Sequence, residues 1–441
     1  MQNLRLLFLP IYLGGLPTFG CAAENTTNLP PTDYVTVSTA LSEELSWSVG
    51  SNGAADQFIT ILQTYTAPSP SLDFGLPSVW ESIEGDFDND GRGDYARLGG
   101  TGAWLFYSNG DGTFTRGFQN YVDQAPPLDF GWPSEWTTVV GDFDGDGTTD
   151  HARLGATGAW LFLGEESRGF TRGFQSYVDQ APPLDFGLPS VWESISGDFD
   201  NDGRDDYARL GGTGAWLFYS NGDGTFTRGF QSYVDQAPPL DFGWPSAWTT
   251  TVGDFNGDGT TDYARLGATG AWLFFGKEGR GFTRGFQSYV DQAPALDFGL
   301  PSTWQSIGGD FNGDGNADYA RLGGTGAWVF FGDVDGTFDR SFQSYVDQEP
   351  PLDFGENSAW QSIAGDFNGD GRGDYARLGS TGAWLYHGRA DGTFRREFQN
   401  YNGRAFGEPS PFQVVTGDFR GTGRTSYARL GGTEAYVFLH R

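Results

Sequence analysis

The sequence has almost none of the residues that cross-link a chain or bind a catalytic metal. Among 441 residues there are one cysteine, one methionine and three histidines. A single cysteine cannot form an intramolecular disulfide, so no disulfide framework holds this fold together. His151, His387 and His440 show no spacing typical of a catalytic metal site, and no nucleophile motif occurs. These absences predict a protein that is not an enzyme.

Basic residues are also scarce. The chain has 26 lysines and arginines against 57 aspartates and glutamates, and its formal net charge is −31. Phosphate binding needs a basic surface, so nucleic acid is excluded as a partner. Glycine and aromatic residues are abundant instead, with 69 Gly, 38 Phe, 19 Tyr and 15 Trp. This composition is typical of many short strands joined by tight turns.

The N-terminal residues resemble an export signal. Residues 1–23 contain Arg5, an apolar run over residues 6–16 and small residues at the end, and this run is too short to span a membrane. Cleavage after Ala23 predicts a secreted protein, with residues 24–43 as an extended leader. Lipidation of Cys21 is the alternative and would anchor the protein to the cell surface.

A repeat of about 56 residues organises the rest of the chain. The string Gly-Asp-Phe occurs seven times, in five steps of 56 residues and one of 52. Its copies begin at Gly85, Gly141, Gly197, Gly253, Gly309, Gly365 and Gly417. Repeats of this kind stack on one another, which predicts one domain over residues 44–441 rather than several.

Each repeat contains the pattern of four strands. In the first copy we predict strands over residues 79–85, 94–99, 103–108 and 114–122, because these runs are apolar or alternating and end at glycine, asparagine or proline turns. Four-stranded units repeated seven times are typical of a β-propeller.

The two ends of the chain complement each other. Residues 58–75 match residues 114–131, the back half of the first repeat, whereas the C-terminus stops after the third strand of the seventh copy. The N-terminal strand can therefore complete the last blade and remove two open edges. The predicted fold is all-β: a seven-bladed β-propeller of four-stranded blades, with its ring closed by an N-terminal strand.

An acidic loop separates the first two strands of each copy. In the first copy Asp86, Asp88, Asp90 and Asp94 stand at loop positions 1, 3, 5 and 9, with Gly91 at position 6 for a sharp turn. Such oxygen ligands suit Ca²⁺, which takes six to eight of them. The sequence predicts about six calcium ions, because the same ligand pattern recurs at Asp142, Asp144, Asp146, Asp150, Asp198, Asp200, Asp202, Asp206, Asp254, Asn256, Asp258, Asp262, Asp310, Asn312, Asp314, Asp318, Asp366, Asn368, Asp370 and Asp374.

The pattern of these loops has two other interpretations. Asx-rich turns without metal are one, since Asp and Gly favour turns. An EF-hand is the other, but it needs a glutamate at position 12, where this chain has Arg97 and its equivalents. The seventh loop, residues 418–426, loses three of the four ligands, and we expect Arg420 to replace the cation there.

These motifs resemble a known family. The acidic loops and their flanking strands resemble the FG-GAP or VCBS repeats of integrin-α-like propellers over residues 58–441. The unit DYARLGGTGAWLF, followed by NGDGTF and a Trp-bearing connection, is similar to the repeat of the seven-bladed Psathyrella mushroom lectin, which binds GlcNAc. The resemblance implies a calcium-binding propeller that acts by binding a ligand.

A carbohydrate-binding lectin, with glycans or glycoproteins as partners, is the first functional interpretation. Trp132 and Trp244 are candidate ligand-binding residues, because other copies have Leu or Glu at this loop position. An integrin-like adhesion or protein-binding propeller is the alternative, although both Arg-Gly-Asp strings end in predicted calcium ligands, Asp94 and Asp374. A secreted enzyme is third. The Arg97 series is expected to pair with the Asp73 series.

Overall fold

The computed structural model describes residues 58–66, 70–75, 79–131, 136–188, 191–243, 248–300, 303–355, 359–401, 403–407 and 412–440. The predicted export signal, residues 1–23, and the predicted leader, residues 24–43, lie outside the described residues. Within the described ranges there is no α-helix, and no helix is long and apolar enough to cross a membrane.

Twenty-eight strands make up the fold. In chain order the first fourteen are β1 (Phe58–Thr64), β2 (Glu81–Gly85), β3 (Asp94–Leu98), β4 (Gly102–Ser108), β5 (Phe114–Asn120), β6 (Thr137–Gly141), β7 (Asp150–Leu154), β8 (Gly158–Gly164), β9 (Phe170–Ser176), β10 (Glu193–Gly197), β11 (Asp206–Leu210), β12 (Gly214–Ser220), β13 (Phe226–Ser232) and β14 (Thr249–Gly253). The others are β15 (Asp262–Leu266), β16 (Gly270–Phe275), β17 (Thr283–Ser288), β18 (Gln305–Gly309), β19 (Asp318–Leu322), β20 (Gly326–Gly332), β21 (Phe338–Ser344), β22 (Gln361–Gly365), β23 (Asp374–Leu378), β24 (Gly382–Gly388), β25 (Phe394–Asn400), β26 (Gln413–Gly417), β27 (Ser426–Leu430) and β28 (Glu434–His440).

The strands form seven antiparallel sheets of four, which are the blades. Blades 1 to 6 each use four consecutive strands, starting with β2–β5. Blade 7 has the order β1-β28-β27-β26, with Phe58 opposite His440 and Thr64 opposite Glu434. The predicted seven-bladed propeller and its closure by an N-terminal strand are therefore confirmed.

The core lies between neighbouring blades. In blade 1 the rings of Tyr95 and Phe106 stack face to face. Tyr65 and Phe74, from the connection that precedes this blade, also pack against Phe106, with ring centroids 5.5 and 6.3 Å away. Because successive strand residues point to opposite faces, a blade with apolar residues on both faces can bury both against its neighbours. Trp80 is partly buried and packs edge-on against Phe74 at 4.9 Å between ring centroids.

Candidate functional site

The acidic loops lie side by side around the ring and are hydrogen-bonded to one another. In each case the backbone N–H at loop position 8 donates to the carbonyl oxygen at position 1 of the preceding blade, as from Thr149 to Asp86 at 2.7 Å. The ring is closed by the bond from Gly93 to Asp418 at 2.8 Å. Each loop is therefore linked directly to the next loop by a backbone hydrogen bond.

The first three loops bring carboxylates together. In each, three carboxylate oxygens lie within 4.8 Å of one another. The groups are Asp86, Asp88 and Asp90 in loop 1, Asp142, Asp144 and Asp146 in loop 2, and Asp198, Asp200 and Asp206 in loop 3. Three like charges this close repel one another unless a cation lies between them. The predicted ligands of positions 1, 3 and 5 thus converge in loops 1 and 2, and those of positions 1, 3 and 9 in loop 3.

The aspartate at loop position 9 is fully buried and also links its loop to a neighbouring strand. Asp94 accepts hydrogen bonds from the backbone N–H groups of Phe87, at 3.1 Å, and Ser108, at 2.7 Å, so it ties the loop to β4. Burial raises the pKa of the Asp94 carboxyl to about 8, and the charge of Asp88 contributes. The equivalent Asp206 has a pKa raised by burial to about 8 as well. A positive charge in the loop would favour the ionised form of these groups.

Two buried carboxylate oxygens without hydrogen-bond partners indicate whether the loops fit a cation. Asp88 and Asp200 are each 6% exposed, and in both the Oδ1 atom is buried without a hydrogen-bond partner. A buried carboxylate oxygen without a partner is costly, whereas a cation would satisfy it. The residues of loops 1 and 3 therefore fit a hard divalent cation such as Ca²⁺.

Loops 4 to 6 have asparagine at position 3. In loop 4 the Asn256 side-chain amide donates to Asp258 at 3.0 Å, and Asp254 accepts from the backbone N–H groups of Asp258 and Gly259. Loops 5 and 6 repeat these contacts through the corresponding residues Asn312, Asp310, Asn368 and Asp366. The amide oxygen at position 3 accepts from the backbone N–H at position 5. These loops have three charged candidates rather than four, and the convergent carboxylate groups of the described residues are those of loops 1 to 3.

The seventh loop differs from its prediction. Arg420 donates its Nη1 to the carbonyl oxygen of His440, at 3.1 Å. The Asp418 carboxylate is held instead by the backbone N–H groups of Arg420 and Gly423. The arginine side chain is thus drawn to the end of β28 and does not form the predicted substitute for a cation.

The two Arg-Gly-Asp strings are not available to a partner. Asp94 and Asp374 are both 0% exposed. Arg92 and Arg372 pair with Asp90 and Asp370 within their own loops. An adhesion partner could not reach the buried aspartates without unfolding the loop.

The recurring arginines have an unexpected role. Arg97 is fully buried, stacks 4.1 Å over the ring of Phe74 and donates to the carbonyl oxygen of Gly431 in the preceding blade. Asp73, its predicted ion-pair partner, instead accepts a hydrogen bond from the backbone N–H of Gly75. The prediction of ion pairs between these two series is therefore wrong, although Arg265 lies 3.9 Å from a carboxylate oxygen of Glu193. A cation–π contact and a backbone bond across blades take their place, and all six equivalents make both: Arg153, Arg209, Arg265, Arg321, Arg377 and Arg429.

Exposed aromatic rings recur on the outermost strands, a feature that the sequence did not single out. The candidates Trp132 and Trp244 lie outside the described residues. Six phenylalanines are between 45% and 52% exposed, and each lies against a tryptophan of the neighbouring strand with ring centroids 4.7 to 4.9 Å apart. They are Phe118, Phe174, Phe230, Phe286, Phe342 and Phe398. An apolar ring held half-exposed by a packed neighbour is a platform for a flat apolar ligand face.

A cavity lies between blades 5 and 6. It has a volume of about 240 Å³. Its lining residues are Val329, Ser341, Phe342, Gln343, Ser344, Asp347, Gln348, Gly392, Thr393 and Phe394. The Phe342 ring packs on Trp328, on the face of the sheet opposite Ser341 and Gln343, so the cavity is bounded mainly by polar groups. The Gln343 Oε1 atom is buried without a hydrogen-bond partner. A carboxylate, hydroxyls and amide groups around one cavity can bind a small molecule with several hydroxyls.

The comparison with family models identifies the repeat. Residues 86–152, 198–264 and 366–427 match the FG-GAP-like repeat. The chain therefore contains FG-GAP-like repeats, as the loops and their flanking strands predicted. Curated protein sequences contain no significant match to this chain.

Solved structures show the same architecture. A lectin of Agrocybe aegerita, described for its specific recognition of non-reducing terminal N-acetylglucosamine, is 19% identical, with a TM-score of 0.64, over 83% of this chain and 86% of that chain. The Photorhabdus luminescens Tc holotoxin pore is 16% identical, with a TM-score of 0.45, over 87% of this chain and 18% of that chain. A putative 6-phosphogluconolactonase of Bacteroides fragilis is 13% identical, with a TM-score of 0.43, over 78% and 95%. At these identities the lectin supports the fold alone, and the other two similarities are too low to support a conclusion.

Proposed function

We propose that this protein is a carbohydrate-binding propeller whose blades are stabilised by calcium. The cavity between blades 5 and 6 carries the proposal, because it is surrounded by a carboxylate and carboxamides. Asp347, Gln348 and Gln343 supply these polar groups.

The chemistry of the cavity matches the two sides of a sugar. A pyranose has an apolar face of C–H groups, which suits the apolar lining residues Val329 and Phe394, and hydroxyl groups around its edge. Asp347 can accept hydrogen bonds from these hydroxyls, and the buried Gln343 Oε1 atom needs a donor. A hydroxyl of the ligand would satisfy it. Glycans and glycoproteins are therefore the proposed partners.

One residue of the cavity lining varies between blades. Strand β20 has Val329 where Leu105, Leu161, Leu217, Leu273 and Leu385 stand in blades 1 to 4 and 6, and β28 has Val437. The shorter side chain leaves the space that one methylene would otherwise fill.

Calcium is proposed as a structural ion at loops 1 to 6. The unsatisfied oxygens of Asp88 and Asp200 and the convergent carboxylates of loops 1 to 3 support it. The bound ion supplies positive charge, while the chain's own residues hold their oxygens in place and link each loop to the next blade. Repeated sites of this kind leave none with a reason to be catalytic, so we propose a binding protein rather than an enzyme, and a secreted one because of residues 1–23.

The proposal is tested on a glycan array with purified protein, with and without free N-acetylglucosamine as competitor. A hydrogen bond to a charged group is worth about 1.5 kcal/mol or more, equivalent to roughly tenfold in affinity, so Asp347→Ala should weaken glycan binding by about that factor. Val329→Leu fills the cavity with the residue of blades 1 to 4 and should also weaken binding while the fold is kept.

The matched control is Asp291→Ala, which removes the equivalent exposed carboxylate of blade 4, outside the cavity. It should bind as the unmodified protein does. Glycan binding that survives Asp347→Ala and Val329→Leu unchanged would place the site elsewhere. An array without any binding, together with capture of a protein partner that free sugars do not displace, would favour the adhesion interpretation.

A further inference from the structure

Two arginines occupy turn positions where four other blades have glycine. Arg168 lies between β8 and β9, and Arg280 between β16 and β17, with φ angles of 70° and 68°. The equivalent residues have φ between 73° and 88° and are Gly112, Gly224, Gly336 and Gly392. This left-handed conformation costs a residue with a Cβ atom roughly 1–2 kcal/mol. The two side chains must therefore make contacts that offset the strain.

Both arginines reach the acidic loop of the preceding blade. Arg168 Nε donates to Asp88 Oδ2 at 2.8 Å, and the guanidinium lies 4.7 Å from the centroid of the Tyr107 ring. The backbone N–H of Gly169 donates to the Tyr107 hydroxyl at 2.8 Å. The same contacts recur between blades 4 and 3, where Arg280 meets Asp200 at 2.9 Å and Tyr219 at 4.7 Å, and Gly281 donates to Tyr219 at 2.7 Å.

The arginines bind one oxygen of each carboxylate and leave the other. Asp88 Oδ1 and Asp200 Oδ1 are the buried atoms without hydrogen-bond partners, and both aspartates belong to clusters whose oxygens lie within 4.8 Å. Loop 2 has Asp144 at this position, but the following blade has Gly224 opposite, and loops 4 to 6 have asparagine. The arrangement is thus confined to loops 1 and 3.

We propose that Arg168 and Arg280 are positioning residues for the cations of loops 1 and 3. The inference rests on the calcium part of the proposed function. Each guanidinium fixes the plane of its carboxylate, so that the free Oδ1 atom faces the other ligands before the cation arrives. Partners that orient a metal ligand in this way are typically worth about 10- to 100-fold in metal affinity.

The coupling runs in both directions. If docking of the arginine favours cation binding, the cation must favour docking of the arginine by the same factor. Cations in loops 1 and 3 therefore hold blade 2 to blade 1 and blade 4 to blade 3, through the turns at residues 165–169 and 277–281.

The experiment uses the full mature chain and the double variant R168G/R280G. Glycine is the residue of the equivalent turns, so the variant relieves strain and its fold is kept. Calcium binding is measured by titration calorimetry and by metal analysis after dialysis at fixed free calcium. We expect loops 1 and 3 to bind about 10- to 100-fold more weakly, so that bound calcium falls from about six to about four per chain. The charge-matched control R172M/R284M removes two arginines of the outermost strands and should keep all six.

A second readout separates docking from charge. Hydrogen exchange at residues 165–169 and 277–281 should slow on calcium addition in the unmodified chain and should not respond in R168G/R280G. Unchanged or tighter calcium binding in R168G/R280G would overturn the positioning role, because the arginines would then be only competitors of the cation. An unmodified chain that binds no calcium would refute the calcium proposal itself, a result distinct from six equal sites in both proteins.

Discussion

The substitution His151→Tyr should stabilise the protein, because a hydrogen bond present in five other blades is missing in blade 2. In those blades two buried tyrosine hydroxyls, such as those of Tyr177 and Tyr207, lie 3.0 to 3.2 Å apart. In blade 2 the second tyrosine is replaced by His151. The Tyr121 hydroxyl and both His151 ring nitrogens are then buried without partners. Burial lowers the pKa of His151 to about 3, so the ring is uncharged at neutral pH.

The size of the effect follows from the contacts. The space accepts a tyrosine, because His151 stacks on Phe162 at 4.6 Å just as Tyr207 stacks on Phe218 at 4.4 Å. Leaving a buried polar group without a hydrogen-bond partner costs about 1–3 kcal/mol, so restoring the hydroxyl pair should gain about that amount. With an unfolding entropy of about 2.1 cal/mol/K per residue, this raises Tm by about 1–3 °C for 441 residues.

The assay is thermal unfolding followed by circular dichroism, in calcium and in EDTA, since His151 is next to a predicted ligand. The matched control is the reverse change in blade 3, Tyr207→His, which should lower Tm by a similar amount. A lower Tm for His151→Tyr, or no change while Tyr207→His is destabilising, would refute the reasoning.

Two further predictions concern the ring. Chelation with EDTA should lower Tm, because each site contributes about 2.7 kcal/mol when free calcium is 100-fold above its Kd, and an excess of calcium should restore it. The substitution Thr249→Gln should raise the free energy of unfolding, measured in urea, by about 1 kcal/mol. The Ser306 hydroxyl opposite Thr249 is buried without a hydrogen-bond partner. In the next pair of blades the equivalent Gln305 accepts a hydrogen bond from the Ser362 hydroxyl at 2.5 Å. No gain, or a loss, would show that the Ser306 hydroxyl already has a partner, such as water.

The strands and their closure could be predicted from the sequence because repetition reports each element seven times. The four strands predicted in the first copy agree with β2 to β5 to within two residues at each end. Glycine turns and a period of 56 residues are local signals, and closure followed from counting strands at the two ends.

Contacts between blades could not be predicted in this way. Arg97 was expected to pair with Asp73, but its partner is the backbone of Gly431, 334 residues away in the chain. Asp88 and Arg168 are 80 residues apart, and only the arrangement of blades in the ring brings them together. The exposure of Phe118 could not be predicted either, because an outermost strand shows the same alternation of apolar and polar residues as a core strand.

The central claim is that the acidic loops are cation sites, and crystals of the mature protein grown in calcium test it most directly. An anomalous difference map should show one calcium peak in each of loops 1 to 6, bounded by the aspartates and asparagines named above, and no peak in loop 7. A map without peaks in these loops, from a protein whose Tm is the same in calcium and in EDTA, would contradict the account.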